Sequence, residues 1–440
     1  MTAAVVPFPR TKAPRASLIE PAAFAAGVMM LLIHSQGWEL PLTGNGDQSA
    51  DSGIIRAGFL PAYAAATGLL ALSPLAFARG LVRQPFLLLI LAIVGASIFW
   101  SVAPDQTSRR IFALVFTTIG GVALAARCSW ARLAEVVAAA FAILALASLF
   151  TGLFVPSIGR MNDIFPGAWR GLWQEKNSFG DNMALGAAIC AAAALLNPRR
   201  AGFWWGIAAL SALLVVMSTS KTSLVSMLLG AGALGLVWTV RRGAAAGVAA
   251  SWATVVGLGV AAGAVLFASD AVFAVLGKDA TLTGRTKIWA AVMRQIGERP
   301  WQGYGYAAIW DETDRWGPLA WITHDAGFRA HHAHNSWLEQ WLSLGVPGLA
   351  AWAAFYLQTL VANIVALYRE KGAFLALPFF MVYSLTSLTE SIAVVYNDMR
   401  WVIFIAFAVK LALPDAPEAS PASADPRRAL GHSHHLEAFR

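Results

Sequence analysis

Charged side chains are scarce in this chain of 440 residues, at 13% against 58% hydrophobic. Soluble domains carry about 25% charged residues. The shortage excludes an ordinary soluble domain and points to a polytopic membrane protein with mean hydropathy +0.60. Cysteine is nearly absent. The two present, Cys128 and Cys190, fall beside or within apolar runs, which excludes a disulfide framework and a thiolate metal site. Internal repeats at solenoid or propeller periods are missing too. A net charge of +8 is compatible with nucleic acid, but membrane proteins concentrate Arg and Lys in cytoplasmic loops. No nucleic-acid partner is expected.

What the chain does have is apolar runs. Twelve stand near 18–34, 57–77, 85–101, 110–126, 131–150, 178–196, 202–218, 222–240, 247–268, 337–366, 373–391 and 400–413. A bilayer crossing needs roughly 20 mostly apolar residues. The expected fold is all-α, a transmembrane bundle of about twelve helices with one large periplasmic loop containing short helices. The segment 1–17 is polar and basic, with no small-residue cleavage site before the first run, and reads as a cytoplasmic segment ahead of a retained helix. Helices one to nine then occupy 18–268, the loop 269–336, helices ten to twelve 337–413, and a disordered cytoplasmic tail 414–440. The tail is rich in Pro, Ala and Ser, and its His432, His434 and His435 read as solvated.

Each short even-numbered connection carries a basic pair: Arg79 and Arg83, Arg127 and Arg132, Arg199 and Arg200, Arg241 and Arg242, Arg369 and Lys371. The positive-inside bias then puts both termini in the cytoplasm and the long loop on the other side. That loop, Ser269 to Asn335, carries seven Arg and Lys, three clustered His and nine aromatic residues. The chemistry is expected there.

Three constellations stand out. In the first, Gly159 to Asn182, Arg160, Arg170 and Lys176 precede the start of an apolar helix. Unpaired N–H groups and the positive dipole end make such a place an anion cradle. Asn177 is either a helix cap or a ligand contact. In the second, Gly284 permits a tight turn before Arg285, and Ile288, Val292 and Ile296 recur at helical spacing, so a short amphipathic helix is expected to end before Pro300. Arg285 alternatively pairs with Glu298 or Asp279. Trp301, Tyr304 and Tyr306 either stack on sugar rings or anchor at the interface, with anchoring preferred for Trp301. In the third, His331, His332, His334, Asn335 and Glu339 stand where the loop returns to the membrane. The His spacing fits poorly on one helix face for zinc, and a general base near neutrality is preferred. Lys221 and Glu390 are ionisable residues at span boundaries, where pairing or function is usual.

The segments T-G-R-T-K-I-W, R-P-W-Q-G-Y-G-Y, A-H-N-S-W-L-E and L-G-V-P-G-L resemble the O-antigen ligase and Wzy-type polymerase superfamily. W-S-V-A-P-D-Q-T-S-R-R (Trp100 to Arg110) and G-L-W-Q-E-K-N-S-F-G (Gly171 to Gly180) are similar to its ExoQ-like exopolysaccharide branch. The resemblance covers residues 85 to 405. It implies an inner-membrane glycosyltransferase that takes an undecaprenyl-diphosphate-linked oligosaccharide at the periplasmic face, with no cofactor and no metal. Membrane lipid is a partner, and a chain-length regulator and a flippase are further candidates. Residue by residue, it implies Arg285 on the diphosphate and His334 activating the acceptor hydroxyl. Arg160, Arg170, Lys176, Asn177, Lys221, Tyr304 and Asn335 are the candidate substrate-binding residues. The expected reaction is polymerisation of repeat units. Transfer of glycan to lipid A-core by a ligase is the near alternative, and a glycolipid transporter the alternative from another class. Ionisable residues gathered at one face disfavour transport.

The orientation has a direct test. Reporter fusions at Asp314 and Ala416 are expected to report opposite sides of the membrane. The same side for both would sink the twelve-span arrangement.

Overall fold

Proline opens many of the helices, among them Pro85–Ala96, Pro104–Arg127 and Pro318–Ala326. At a first helical position the missing N–H has no intrahelical partner to lose. Side chains cap others: Ser129 caps Trp130–Phe154, Ser220 caps Lys221–Val240, Asn335 caps Ser336–Arg369 and Asp398 caps Met399–Ala412. The computed structural model describes residues 18–44, 53–162, 165–267, 284–310, 314–413 and 415. The expected N-terminal segment, Asp279 with the first part of the expected loop, and the tail beyond Asp415 with its histidines lie outside the described residues. Among those described there is no strand, only one isolated bridge between Arg160 and Trp169.

The chain is a multi-pass helical membrane protein. Eight helices among the described residues are long and apolar enough to cross a bilayer. Counting Pro74–Val82 and Pro85–Phe99, bent by 87°, as one broken span makes nine. Each expected run falls on a helix, but three are short: Ile19–His34 with 16 residues, Ala373–Ser387 with 15 and Met399–Ala412 with 14. At 1.5 Å per residue such a helix covers about 21–24 Å, less than the ~30 Å hydrocarbon core. The expected run 373–391 shows why. Its helix stops at Ser387, and the following stretch to Asp398 is non-helical, largely buried in protein. Irregular backbone at this depth is tolerated only where protein covers it.

The basic pairs collect at one end of the bundle. Arg127 and Glu20 form an ion pair, Arg200 reaches Glu135 at 3.3 Å, and Arg241 donates to the Glu370 carbonyl. The helices beginning at Pro104, Lys176, Lys221, Ser336 and Met399 start at the other end. A cap sits there with its own core. Ile288, Val292 and Ile296, one face of the helix Arg285–Glu298, pack with Trp310, Leu319, Ile322 and Leu342.

The family-like motifs bind one another there through backbone. Tyr304 N–H donates to the Leu342 carbonyl (3.1 Å), Gly305 N–H to Ser343 (2.9 Å) and Val346 N–H to Pro300 (2.9 Å). Val102 N–H reaches the Tyr304 carbonyl at 3.0 Å, and Trp100 Nε1 the Gln302 carbonyl at 2.7 Å. The helix Ser336–Arg369 is broken at Gly345, which has φ +67° and precedes Pro347. A Cβ there would overlap the Trp301 carbonyl oxygen. Gly345→Ala is therefore expected to destabilise the protein by about 1–3 kcal/mol, read as a lower melting midpoint in detergent. A midpoint equal to wild type would refute this account of the break.

Candidate active site

Gly284 takes φ +89° at the head of the helix Arg285–Glu298, a conformation that L side chains rarely adopt. The turn delivers Arg285 inward, nearly buried, against Glu390, with Nη2 2.5 Å from Oε1. The other carboxylate oxygen, Oε2, lies 3.0 Å from Nδ1 of His334. Burial pushes the Glu390 carboxyl up, but the hydrogen bond from His334 and the Arg285 charge outweigh it and hold it below its ordinary value. Glu390 is thus a carboxylate and accepts only, so the proton in this bond sits on His334 Nδ1.

The peptide around His334 is fixed from several sides. His334 itself has φ +50°. Its N–H donates to His332 Nδ1 at 3.2 Å, and the two rings lie 3.8 Å apart. Burial drives the His332 imidazole down to about 3, so it is neutral near pH 7. Ala333 N–H donates to Glu339 Oε2 at 2.9 Å, and Trp289 Nε1 to the Ala333 carbonyl at 3.0 Å. Glu339 also accepts from Trp310 Nε1 (2.5 Å) and Ser391 Oγ (3.0 Å). Ser336 Oγ accepts from Ile392 N–H and donates to the Glu390 carbonyl.

Beside this cluster lies a cavity of about 660 Å³ lined by Ser178, Tyr306, Arg329, His332, Glu339 and Arg400, among others. Arg400 is held by Asp398, with Nε at 3.1 Å from both oxygens. Among the described residues six non-glycine residues have positive φ: Gln36, Thr219, Ala307, His334, Val394 and Asn397. Gln36, Ala307 and Val394 line the cavity. Backbone strain of this kind persists only where its surroundings impose it, and it clusters at functional sites.

The other candidates divide. Lys176 Nζ reaches Thr219 Oγ1 at 3.3 Å and lies over the Phe165 ring, while Asn177 Oδ1 accepts from Ser220 Oγ at 3.0 Å. Lys176, Asn177 and the exposed Lys221 therefore meet where two helices begin, next to Ser178 in the cavity wall. Asn177 is not the helix cap; that position is Glu175. Arg160 bonds the Gly152 carbonyl at 2.8 Å, and Arg170, 7% exposed, bonds the Ile158 and Ser157 carbonyls at 2.8 and 3.0 Å. Those bonds give Arg170 the placement of a staple within its own loop. Tyr304 departs from expectation as well. Its hydroxyl is tied to Gln295 and its largely buried ring borders a different cavity. Tyr306 is likewise buried, whereas Trp301 is exposed. Asn335 caps its helix through Oδ1, accepting from Trp337 and Leu338 N–H, and donates to the Leu388 carbonyl at 3.2 Å. Of its two expected partners Asp279 lies outside the described residues, and the described ion pair of Arg285 is not with Glu298. Glu390, 105 residues away, takes that place.

Arg400 is the site residue that the sequence reading passed over, while Glu390 and His332 were noted there without a role in the reaction. The signal for Glu390 was its position as an acid at a span boundary. His332, His334 and Glu390 hold their ligand atoms within 4.8 Å of one another. The Arg285 charge at the same carboxylate opposes a dication there.

Residues 206–353 match the family described as O-antigen ligase, Wzy_C. That stretch contains Lys221, Arg285, His334 and Glu339 and stops short of Glu390. Over these residues the multi-pass chain is similar to O-antigen ligases. It is also similar, at 30% identity over 268 residues, to the exopolysaccharide production protein ExoQ of Rhizobium meliloti (strain 1021). The match spans 58% of this chain and 59% of that relative. Both findings bear out the resemblance read from the motifs.

The Glu390 clamp has a pH signature. A depressed carboxyl contributes its stability above the ordinary value of 4.5 and loses it as pH falls through the lower folded value. Wild-type stability is expected to hold from pH 8 to about 5 and then drop. Glu390→Gln leaves Arg285 buried without its partner and is expected to cost about 3–5 kcal/mol at pH 7, with a shallower acid drop. Thermal unfolding against pH measures both, and parallel curves for the two proteins would contradict the clamp.

Proposed function

We propose that the protein is an inner-membrane polysaccharide polymerase of the Wzy type. It transfers an undecaprenyl-diphosphate-linked glycan to a sugar hydroxyl of another lipid-linked repeat unit at the periplasmic face. The observation that carries this reading is the Glu390–His334 hydrogen bond at 3.0 Å with Arg285 on the same carboxylate. It fixes one tautomer of a histidine next to a polar cavity, as a general base requires.

The acceptor hydroxyl oxygen bonds to the anomeric carbon of the donor while the bond from that carbon to the diphosphate oxygen breaks. The hydroxyl proton passes to His334 Nε2, and the bonding electron pair leaves with the lipid diphosphate. The transition state is oxocarbenium-like, as in other glycosyl transfers, and negative charge grows on the leaving group. The paired helix starts at Lys176 and Lys221 offer two dipole ends and two ammonium groups for it. Arg285 and Arg400 add positive charge near the cavity, each already oriented by a carboxylate. In this reading Arg160 and Arg170 shape the loop that carries Lys176, and Asn335 positions His334. No step calls on a metal. A ligase that moves glycan to lipid A-core would use the same chemistry with another acceptor. The likeness to an exopolysaccharide production protein favours the polymerase.

Arg285→Ala and His334→Ala are expected to lower transfer by on the order of 10²–10³-fold or more. Arg285→Lys should retain little, because the planar two-point fork is lost. His331→Ala, at an exposed residue, should be mild, while His332→Ala should be intermediate because it removes the acceptor of the His334 N–H. Chelator should leave transfer intact. The assay is purified protein with lipid-diphosphate oligosaccharide, with and without lipid A-core, and with membrane levels of each variant matched. Wild-type polymer from both Arg285→Ala and His334→Ala would move the site elsewhere, and product only with lipid A-core would make the enzyme a ligase.

A further inference from the structure

A second cavity, of about 470 Å³, adjoins the first. Three arginines line it: Arg56 in the first turn of the span Gly53–Leu72, and Arg109 and Arg110 near the start of Pro104–Arg127. None of its described lining residues is acidic. Its floor is aromatic, with Phe59, Phe112 and Tyr396 among the lining side chains. Arg110 and Tyr396 also line the reaction cavity, so the two spaces share a wall. In that wall Arg110 is buried, donates to the Ala307 carbonyl and lies 5.6 Å from the Tyr396 ring centroid. The same two spans expose Ile54 beside the groove and Leu60 and Phe112 in its lining, at 68%, 58% and 55% exposure. A ligand matched to this groove has an anionic head for the arginines and an apolar tail for the outer surface.

Polymerisation on lipid carriers needs two such molecules at once. The donor diphosphate has to lie at the reacting carbon. The acceptor diphosphate does not, because the length of its own glycan separates it from the attacking hydroxyl. We propose, resting on the polymerase reading, that the groove of Arg56, Arg109 and Arg110 holds the diphosphate of the acceptor lipid. The acceptor glycan then enters the reaction cavity past Arg110 and Tyr396. The donor occupies the side marked by Lys176, Lys221 and Ser178. Guanidinium groups suit this role because they bind phosphate oxygens in two-point contacts and keep their charge.

The test separates the two roles chemically. In phosphatidylcholine vesicles the full chain is given a labelled lipid-diphosphate donor whose own acceptor hydroxyl is methylated. It is also given one of two acceptors: the repeat unit on a polyprenyl chain through a non-cleavable C1 phosphonate, or the same oligosaccharide free. Wild type is expected to have a much lower KM for the lipid-borne acceptor. In Arg56→Gln/Arg109→Gln, two exposed positions, that KM should rise about tenfold or more per arginine. The rise should exceed any fall in kcat, so the preference over the free acceptor shrinks. An unchanged preference would overturn the proposal, and so would an equal loss with both acceptors. A wild-type preference that appears only when phosphatidylglycerol is added would assign the groove to ordinary anionic phospholipid. No transfer by wild type to either acceptor would defeat the polymerase reading itself, whereas transfer without lipid preference would defeat the groove alone.

Discussion

One buried carboxylate decides the geometry of the capped end of this molecule. Glu390 takes Arg285 on one oxygen and His334 on the other, and the three residues come from three separate stretches of chain. A buried ion pair of this sort adds little net stability over an apolar replacement, because desolvation offsets the Coulomb gain. What it supplies is definition. With the carboxylate in place, a helix start, a loop return and a non-helical crossing have one mutual arrangement. Without either partner, a charge is left in a dry site, and the arrangement loses its reason.

Glu339 repeats the device one helical turn deeper. Its two oxygens collect Trp310, Ser391 and the Ala333 backbone, which ties the cap to the same non-helical stretch that carries Glu390. Ser336 bonds that stretch at three backbone positions. The peptide holding His334 is thus fixed before and after the residue, which explains how a histidine stays at positive φ. The strained positions around the cavity share this logic: each is held by partners on elements remote in sequence.

Much of the fold was legible because it rests on local signals. Apolar runs located the helices, the Ile288–Val292–Ile296 spacing gave the cap helix, and Asn335 announced a helix start. Helix ends that tertiary structure decides were not legible. The apolar run continued in the sequence to Ser391, but the helix ends at Ser387 and Glu390 lies beyond it, buried against Arg285. Site chemistry divided the same way. Arg285 and His334 stood in recognisable motifs, whereas their common partner stood in none. Arg170 and Tyr304 looked like ligands because their residue types suit ligands, but carbonyls of their own loops and Gln295 already occupy them. A sequence gives the type of a side chain and not its nearest neighbour.

The bonds that join Pro300–Tyr306 to Leu342–Val346 run from backbone to backbone. Such contacts read the number of residues between two points and are nearly blind to which side chains stand there. In descent, this part of the chain would tolerate many substitutions away from its glycines but few insertions or deletions, since one added residue slides every following carbonyl past its donor. A constant length with drifting letters is the trace this constraint would leave.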